Sequence, residues 1–254
     1  MRGKYRETKG GAMIFLFTDF GFEGPYLGQV KAVLHRTAPG IAMFDLFADA
    51  PDRRPMEAAY LLAAYVGSCP PGSHFFCVVD PGVGGARPPI ALKVDQSWFV
   101  GPGNGLLEMV YRGQPDAEAY VIDWRPESLS ASFHGRDLFA PVIARLAAGT
   151  APEQIGLRRA EPPRFPDWPD QLASVIYQDR YGNLMTGLKS ATIPSSARIR
   201  LGPHVIVWAE TFSAVPRGHA LWYGNSTGLV EIAVNGGSAA VALAAGPGSG
   251  VEII

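Results

Sequence analysis

Nine residues divide this chain in two. The stretch Glu161–Pro169 reads EPPRFPDWP, four prolines in nine positions. Proline lacks the backbone donor that a helix interior or a central strand needs, so this stretch is a linker. Before it, short apolar runs alternate with segments of helical period. Ile14–Phe17, Ala42–Leu46, Phe75–Val79 and Tyr120–Ile122 read as strands, and Ile90–Val94 with Trp98–Val100 as a hairpin. Tyr26–His35, Pro55–Val66, a segment from Leu106 and Leu138–Ala148 read as helices. This alternation predicts an α/β domain over 13–160 with a doubly wound, largely parallel sheet. After the linker, runs of strand-forming residues recur between Gly, Asn and Pro: Ala173–Tyr177, Ala197–Leu201, Val205–Trp208, Leu229–Val234, Ala239–Ala244 and Val251–Ile254. They predict a small all-β barrel over 170–254, joined to the first domain by the linker 161–169. Residues 1–12 are basic and Gly-rich without the apolar core of a signal peptide, and are expected to form a disordered leader.

Charge and hydropathy exclude several classes of function. With 22 basic and 23 acidic side chains the net charge is −1, which offers no electrostatic footprint for nucleic acid or an anionic membrane. No apolar run reaches the ~20 residues of a membrane helix. The two cysteines, Cys69 and Cys77, are too few for a disulfide framework and are expected as ordinary buried thiols in a reducing cytoplasm. The 30 glycines and 22 prolines point to many loops made of tight turns and bare backbone.

Several loops carry chemistry-bearing residues. Asp19, in Thr18-Asp19-Phe20-Gly21, follows the first strand, where an acid either holds a ribose diol or caps the next helix. Asp80 ends another strand and opens the loop Asp80-Pro81-Gly82-Val83-Gly84-Gly85, with Arg87 just beyond; ligand approach and a plain hairpin turn both fit. The run Phe99–Leu106 (FVGPGNGL) has the wrong glycine spacing for a dinucleotide fingerprint, which rejects NAD, but brings Asn104 and bare backbone to a loop. His134 lies in Phe133-His134-Gly135-Arg136-Asp137, where Asp137 suits a helix cap. No metal site is expected: histidines at i, i+4 and Cys/His clusters are both missing, as are the P-loop and the nucleophile elbow. Past the linker, Asp179-Arg180-Tyr181-Gly182-Asn183 and Trp222–Gly228 (WYGNSTG) are aromatic–Gly–Asn turns. Each alone is an ordinary hairpin turn; the pair suggests a surface that stacks on a flat base and hydrogen-bonds to its edge.

Taken in order, TDFG, VVDPGVGG, FVGPGNGLL, FHGRD, DRYGN and YGNSTGLVEIAVN resemble the S-adenosyl-L-methionine (SAM) hydroxide adenosyltransferases, relatives of the SAM-dependent fluorinase and chlorinase. The resemblance spans Met13 to Ile254. It implies an N-terminal α/β domain, a C-terminal barrel and a cytoplasmic homotrimer, with SAM held between one subunit's N-domain and its neighbour's C-domain. It implies that Asp19 binds the ribose hydroxyls, Asp179 the methionine portion, and that Tyr181 stacks on adenine with Asn183 bonding its edge. Ser226 lies in the methionine pocket, and Asn104 in the substrate loop. The family's water-activating set maps onto Asp80, Arg87 and His134. Two departures bear on halide chemistry. The halogenases' Tyr-x-x-Thr or Tyr-x-x-Gly is replaced here by Asp80-Pro81-Gly82-Val83, and only a short hairpin stands where the fluorinase has a long insertion. Thr227 stands where the fluorinase has an Arg, so the methionine carboxylate is left without an assigned partner.

The implied reaction is SAM plus water to adenosine plus L-methionine, with no cofactor, since SAM is itself the substrate. The leaving group is a neutral thioether and needs no general acid. Arg87 can stabilise hydroxide-like charge, His134 can accept the proton if it is neutral, and Asp80 can orient either partner; the sequence leaves open which of the three takes the proton. A halogenase on the same scaffold and a non-catalytic SAM or adenosine sensor are the alternatives.

Overall fold

The structure, a computed structural model, describes residues 11–254, so the leader expected over 1–12 lies outside the described residues up to residue 10. Internal contacts divide the chain into two units. The first comprises the chain up to Asp49, Pro70–Asn104 and Gly113–Pro162; the second comprises Ala50–Cys69, Gly105–Arg112 and Pro163–Ile254.

The first unit is built on strands β1 (Met13–Thr18), β2 (Ala42–Phe47), β3 (His74–Val78), β4 (Pro89–Val94), β5 (Ser97–Pro102), β6 (Glu118–Ile122) and β7 (Leu157–Arg159), in the order β2-β1-β3-β5-β4-β6-β7. The expected parallel arrangement holds from β2 through β1 and β3 to β5. The rest is antiparallel, because β4 and β5 are joined by a tight hairpin in which Asp95 adopts φ 52°, and β6 and β7 continue in that sense. Alternation then sorts the side chains. Ile14, Leu16, Phe76, Val78, Ala91 and Val100 form one apolar core with residues of helices α1 (Tyr26–Thr37) and α4 (Ala140–Ala147). Phe15, Phe75 and Phe99 form a stacked row, with ring centroids 5.6 and 4.6 Å apart. The helix expected over 138–148 begins instead with a π-helical turn, Gly135–Phe139. Asp137 caps nothing there: it pairs with Arg136 at 2.6 Å and accepts Ser130 N–H at 2.9 Å.

The second unit contains the expected barrel. Strands β8 (Leu172–Gln178), β9 (Leu184–Lys189), β10 (Arg198–Leu201), β11 (His204–Trp208), β12 (Ala220–Gly224), β13 (Leu229–Val234) and β14 (Val251–Ile253) run in the order β14-β10-β11-β12-β13-β9-β8. Val175 closes most of the remaining gap, donating to Ser249 O and accepting from Gly248 N, each at 2.8 Å. Trp222, Val230, Ile232, Ile199 and Leu184 fill the interior.

Strands β9 and β12 were not expected. Gly187 interrupts the pattern of β9 because Leu172 comes too close for a side chain, 2.6 Å from where a Cβ would stand. Ala239–Ala244, expected as a strand, is instead the short helix α6 (Ala239–Ala242), with Ser238 Oγ accepting Val241 N–H at 3.3 Å. Alanine is the strongest helix former and serine a good N-cap, and together they outweigh the valine.

Helices α2 (Pro55–Val66) and α3 (Glu108–Tyr111) belong to the barrel's unit, and α5 (Pro152–Ile155) to the first. The proline-rich stretch is tied down in the second unit. Arg112 donates to Phe165 O at 2.8 Å and Trp168 O at 2.6 Å, and the buried Glu108 carboxylate holds Arg112 at 3.0 Å.

Candidate active site

Parallel strands place several of the expected residues along one edge of the first sheet. Thr18 pairs with Val78, so Asp19 and Asp80 both follow the carboxyl ends of neighbouring strands β1 and β3. Ligands bind at this edge of open α/β sheets. Strand β5 ends there too, and Asn104 beyond it donates from Nδ2 to Val79 O at 2.9 Å. This bond ties the Asn104 loop to the backbone just before Asp80.

Asp80, Arg87 and His134, 54 residues apart at the extremes, form one cluster. Arg87 Nε donates to Asp80 Oδ1 at 3.0 Å, and its Nη2 donates to Oδ2 in a bidentate pair. The same Nη2 lies 3.2 Å from His134 Nδ1. The Asp80 and Arg87 side chains are only 4% and 10% exposed, and Phe139 lies under the guanidinium at 5.3 Å. Burial, and then the charge of Arg87, hold the His134 pKa below the ordinary histidine value.

Arginine only donates, so His134 Nδ1 must accept. The ring is therefore neutral with its proton on Nε2. The loop carrying Asp80 packs against the loop carrying His134: Gly84, at φ +77°, leaves space where a Cβ would meet Ala131 O at 2.6 Å.

In the second unit, the β8–β9 turn carries Asp179, Tyr181 and Asn183. Asp179 Oδ1 accepts N–H bonds from Tyr181 and Asn183 at 2.9 and 2.8 Å, and Oδ2 accepts Asn183 Nδ2 at 2.9 Å. This acid therefore builds its own turn. Tyr181 is 77% exposed, and with Asn183 and Phe212 it lines a groove of about 460 Å³. Ser226 is exposed at the tip of the β12–β13 turn. Asn225 fixes that turn, its Oδ1 accepting Thr227 N and Leu229 N at 3.0 Å each.

Three contributors went unnoticed in the sequence. Phe212 joins the groove, Phe139 underlies Arg87, and the buried Glu231 accepts Asn225 Nδ2 at 3.0 Å together with the Tyr223 hydroxyl. Only Glu231 leaves a trace in the sequence: it is an isolated charge inside the apolar run of β13.

Family models for the SAM hydroxide adenosyltransferase N-terminal and C-terminal domains match residues 14–156 and 173–252. The chain belongs to the SAM hydroxide adenosyltransferase family. The (R)-S-adenosyl-L-methionine hydrolase of Thermus thermophilus is 36% identical, covering 95% of this chain and 99% of its own. The protein of the same name from Salinispora arenicola is 38% identical over 93% and 95%. A crystal structure of an uncharacterized conserved protein from Thermotoga maritima superposes with a TM-score of 0.84 at 31% identity, covering 95% of this chain and 99% of that one. In this adenosyltransferase-family chain the two matched segments cover both sheets apart from β7 and a residue at some strand ends.

Proposed function

We propose that this chain hydrolyses SAM to adenosine and L-methionine by attack of water at ribose C5′, with release of one proton. The observation that carries this reading is the largely buried Asp80–Arg87 pair, with His134 against it, at the carboxyl edge of a sheet in a SAM hydroxide adenosyltransferase chain. Arg87 is its working charge. A guanidinium beside a bound water lowers that water's pKa, so that hydroxide is present to attack C5′. Asp80 fixes the guanidinium plane by two parallel bonds, and His134 holds it from a second side.

The hydrogen-bond pattern supports a positioning role for His134. A neutral imidazole has one acceptor nitrogen, and Arg87 occupies it. In this reading His134 positions Arg87 rather than taking the proton, which the water beside Arg87 loses to solvent before the C–O bond forms. The leaving thioether is neutral and needs no acid. Because a hydroxide-like nucleophile meets a sulfonium, charge is quenched in the transition state, and exclusion of bulk water favours it. No cofactor enters this reading.

In this reading Asp19, just after the carboxyl end of β1, binds the ribose hydroxyls. Tyr181 offers its exposed ring to adenine, and Asn183 the edge of its amide. Asp179 uses three of its roughly four acceptor positions in its own turn, which leaves one for the SAM ammonium. Ser226 then faces the methionine portion. We further place the enzyme in the cytoplasm, where its two free cysteines stay reduced, as a homotrimer in which neighbouring copies share each site.

Two measurements test these assignments. Tyr181→Ala is expected to raise KM for SAM about tenfold or more, with kcat little changed, since base stacking on an aromatic contributes about 1–3 kcal/mol. Mixing inactive Arg87→Met protein with Tyr181→Ala protein under subunit exchange should yield sites that turn SAM over with the wild-type KM, which neither variant does alone. Absence of any such sites would contradict sharing between copies.

The name of the two relatives specifies the sulfonium configuration, and we carry the (R) preference to this chain. A sulfonium is pyramidal, so its epimers direct the methionine chain and the methyl group differently from a fixed C5′. Chromatography of an epimer mixture over time should show (R)-SAM consumed first. Equal rates for both epimers would refute the preference.

A further inference from the structure

Away from the Asp80–Arg87–His134 cluster, the first unit has a second concave site, of about 240 Å³, where three arginines converge: Arg36 from the last turn of α1, Arg136 from the π-helical turn and Arg145 from α4. Arg136 is satisfied by Asp137, at 2.6 and 3.0 Å, and by Gln29 at 2.7 Å. Among the described residues, Arg36 and Arg145 have no carboxylate partner. The Arg145 guanidinium sits over the Trp124 ring, 4.4 Å from its centroid, a cation–π contact that uses none of its N–H donors. Thr37 and Ser128 add hydroxyls to the lining or its rim.

We infer that this pocket binds a phosphate group, free or as a monoester. Three guanidiniums against one carboxylate leave a local charge of +2 in a chain whose net charge is −1. A tetrahedral oxyanion with two negative charges matches both the charge and the fork geometry of arginine. The volume is below the roughly 300 Å³ at which sites for drug-sized ligands begin, so the phosphate group enters and any organic remainder stays outside. Nothing in the hydrolysis of SAM calls for such a site. It adjoins the segment leading to His134, because Asp137 links Arg136 to Ser130 N–H at 2.9 Å. Occupancy is therefore expected to stiffen the loop that presents His134.

Titration calorimetry of the full chain at constant ionic strength tests this, with inorganic phosphate in one arm and AMP in the other. Saturable binding of one equivalent is expected, weakened about tenfold or more in both Arg36→Gln and Arg145→Gln, each retaining SAM turnover. Tighter binding of AMP identifies the monoester as the ligand, and tighter binding of phosphate the free ion. On the wild-type protein, phosphate should also slow phenylglyoxal modification of Arg145 selectively, a readout that needs no variant to fold. No saturable heat in either arm, binding unchanged in the two variants, or unprotected Arg145 would each overturn the inference.

Discussion

In the His134→Ala variant, kcat for SAM hydrolysis is expected to fall on the order of 10²-fold with little change in KM, whereas His134→Asn should retain most of the rate. The distinction follows from the hydrogen bonds. His134 Nδ1 accepts from Arg87 Nη2 at 3.2 Å, and the amide oxygen of asparagine can stand close to that position. Alanine leaves the guanidinium held only by Asp80, free to shift by the ångström or so that costs about 10²-fold in a positioned reaction. A general base would behave differently, because asparagine cannot take a proton and both variants would then be equally slow.

The pH profile provides a second readout of the same role. The His134 pKa is depressed, so the ring is neutral above about pH 6.5, the ordinary histidine value, and stays so until the pH falls through the lower folded value. Protonation puts an N–H against Arg87 and breaks the arrangement. Wild-type activity should therefore have an acid limb below about pH 6.5 that is absent from His134→Asn.

Arg87→Met is expected to do more damage, lowering kcat by about 10³-fold and destabilising the fold by about 3–5 kcal/mol. Both losses have one origin. Asp80 is 4% exposed and its two oxygens face the guanidinium, so removal of Arg87 leaves a buried carboxylate without its counter-charge. The double variant Asp80→Leu/Arg87→Met removes both charges and should regain much of the stability without any of the activity. Thermal midpoints and turnover, measured together, separate the two effects. A double variant no more stable than Arg87→Met would show that pairing is not what the buried carboxylate needs.

How far the sequence was legible depended on whether the information was local. Helix α2 could be placed at both ends because Pro55 marks its first position and the apolar run from Ala58 to Val66 is uninterrupted. The alternation after Glu161 indicated a barrel, but β9 was hidden by Gly187, whose reason for being there, close approach of Leu172, is visible only in three dimensions. The alanines of α6 were read as a strand because their neighbours were strands. Asp80, Arg87 and His134 could be picked out as residues, through the ordered motifs, but not as a hydrogen-bonded chain. The sequence contains no sign that Arg87 lies against Nδ1 of His134, the contact on which the proposed positioning role rests. Likewise Asp179, an expected substrate contact, proves to be held by three bonds within its own turn.

Hydrolysis at C5′ is tested most directly by incubating the purified protein with SAM in ¹⁸O-labelled water, with and without added fluoride or chloride, and analysing the products by mass spectrometry. The expected result is one ¹⁸O in the 5′-hydroxyl of adenosine, unlabelled methionine, and no change on adding halide. Formation of 5′-halo-5′-deoxyadenosine, adenosine without label, or (R)-SAM recovered intact would contradict it.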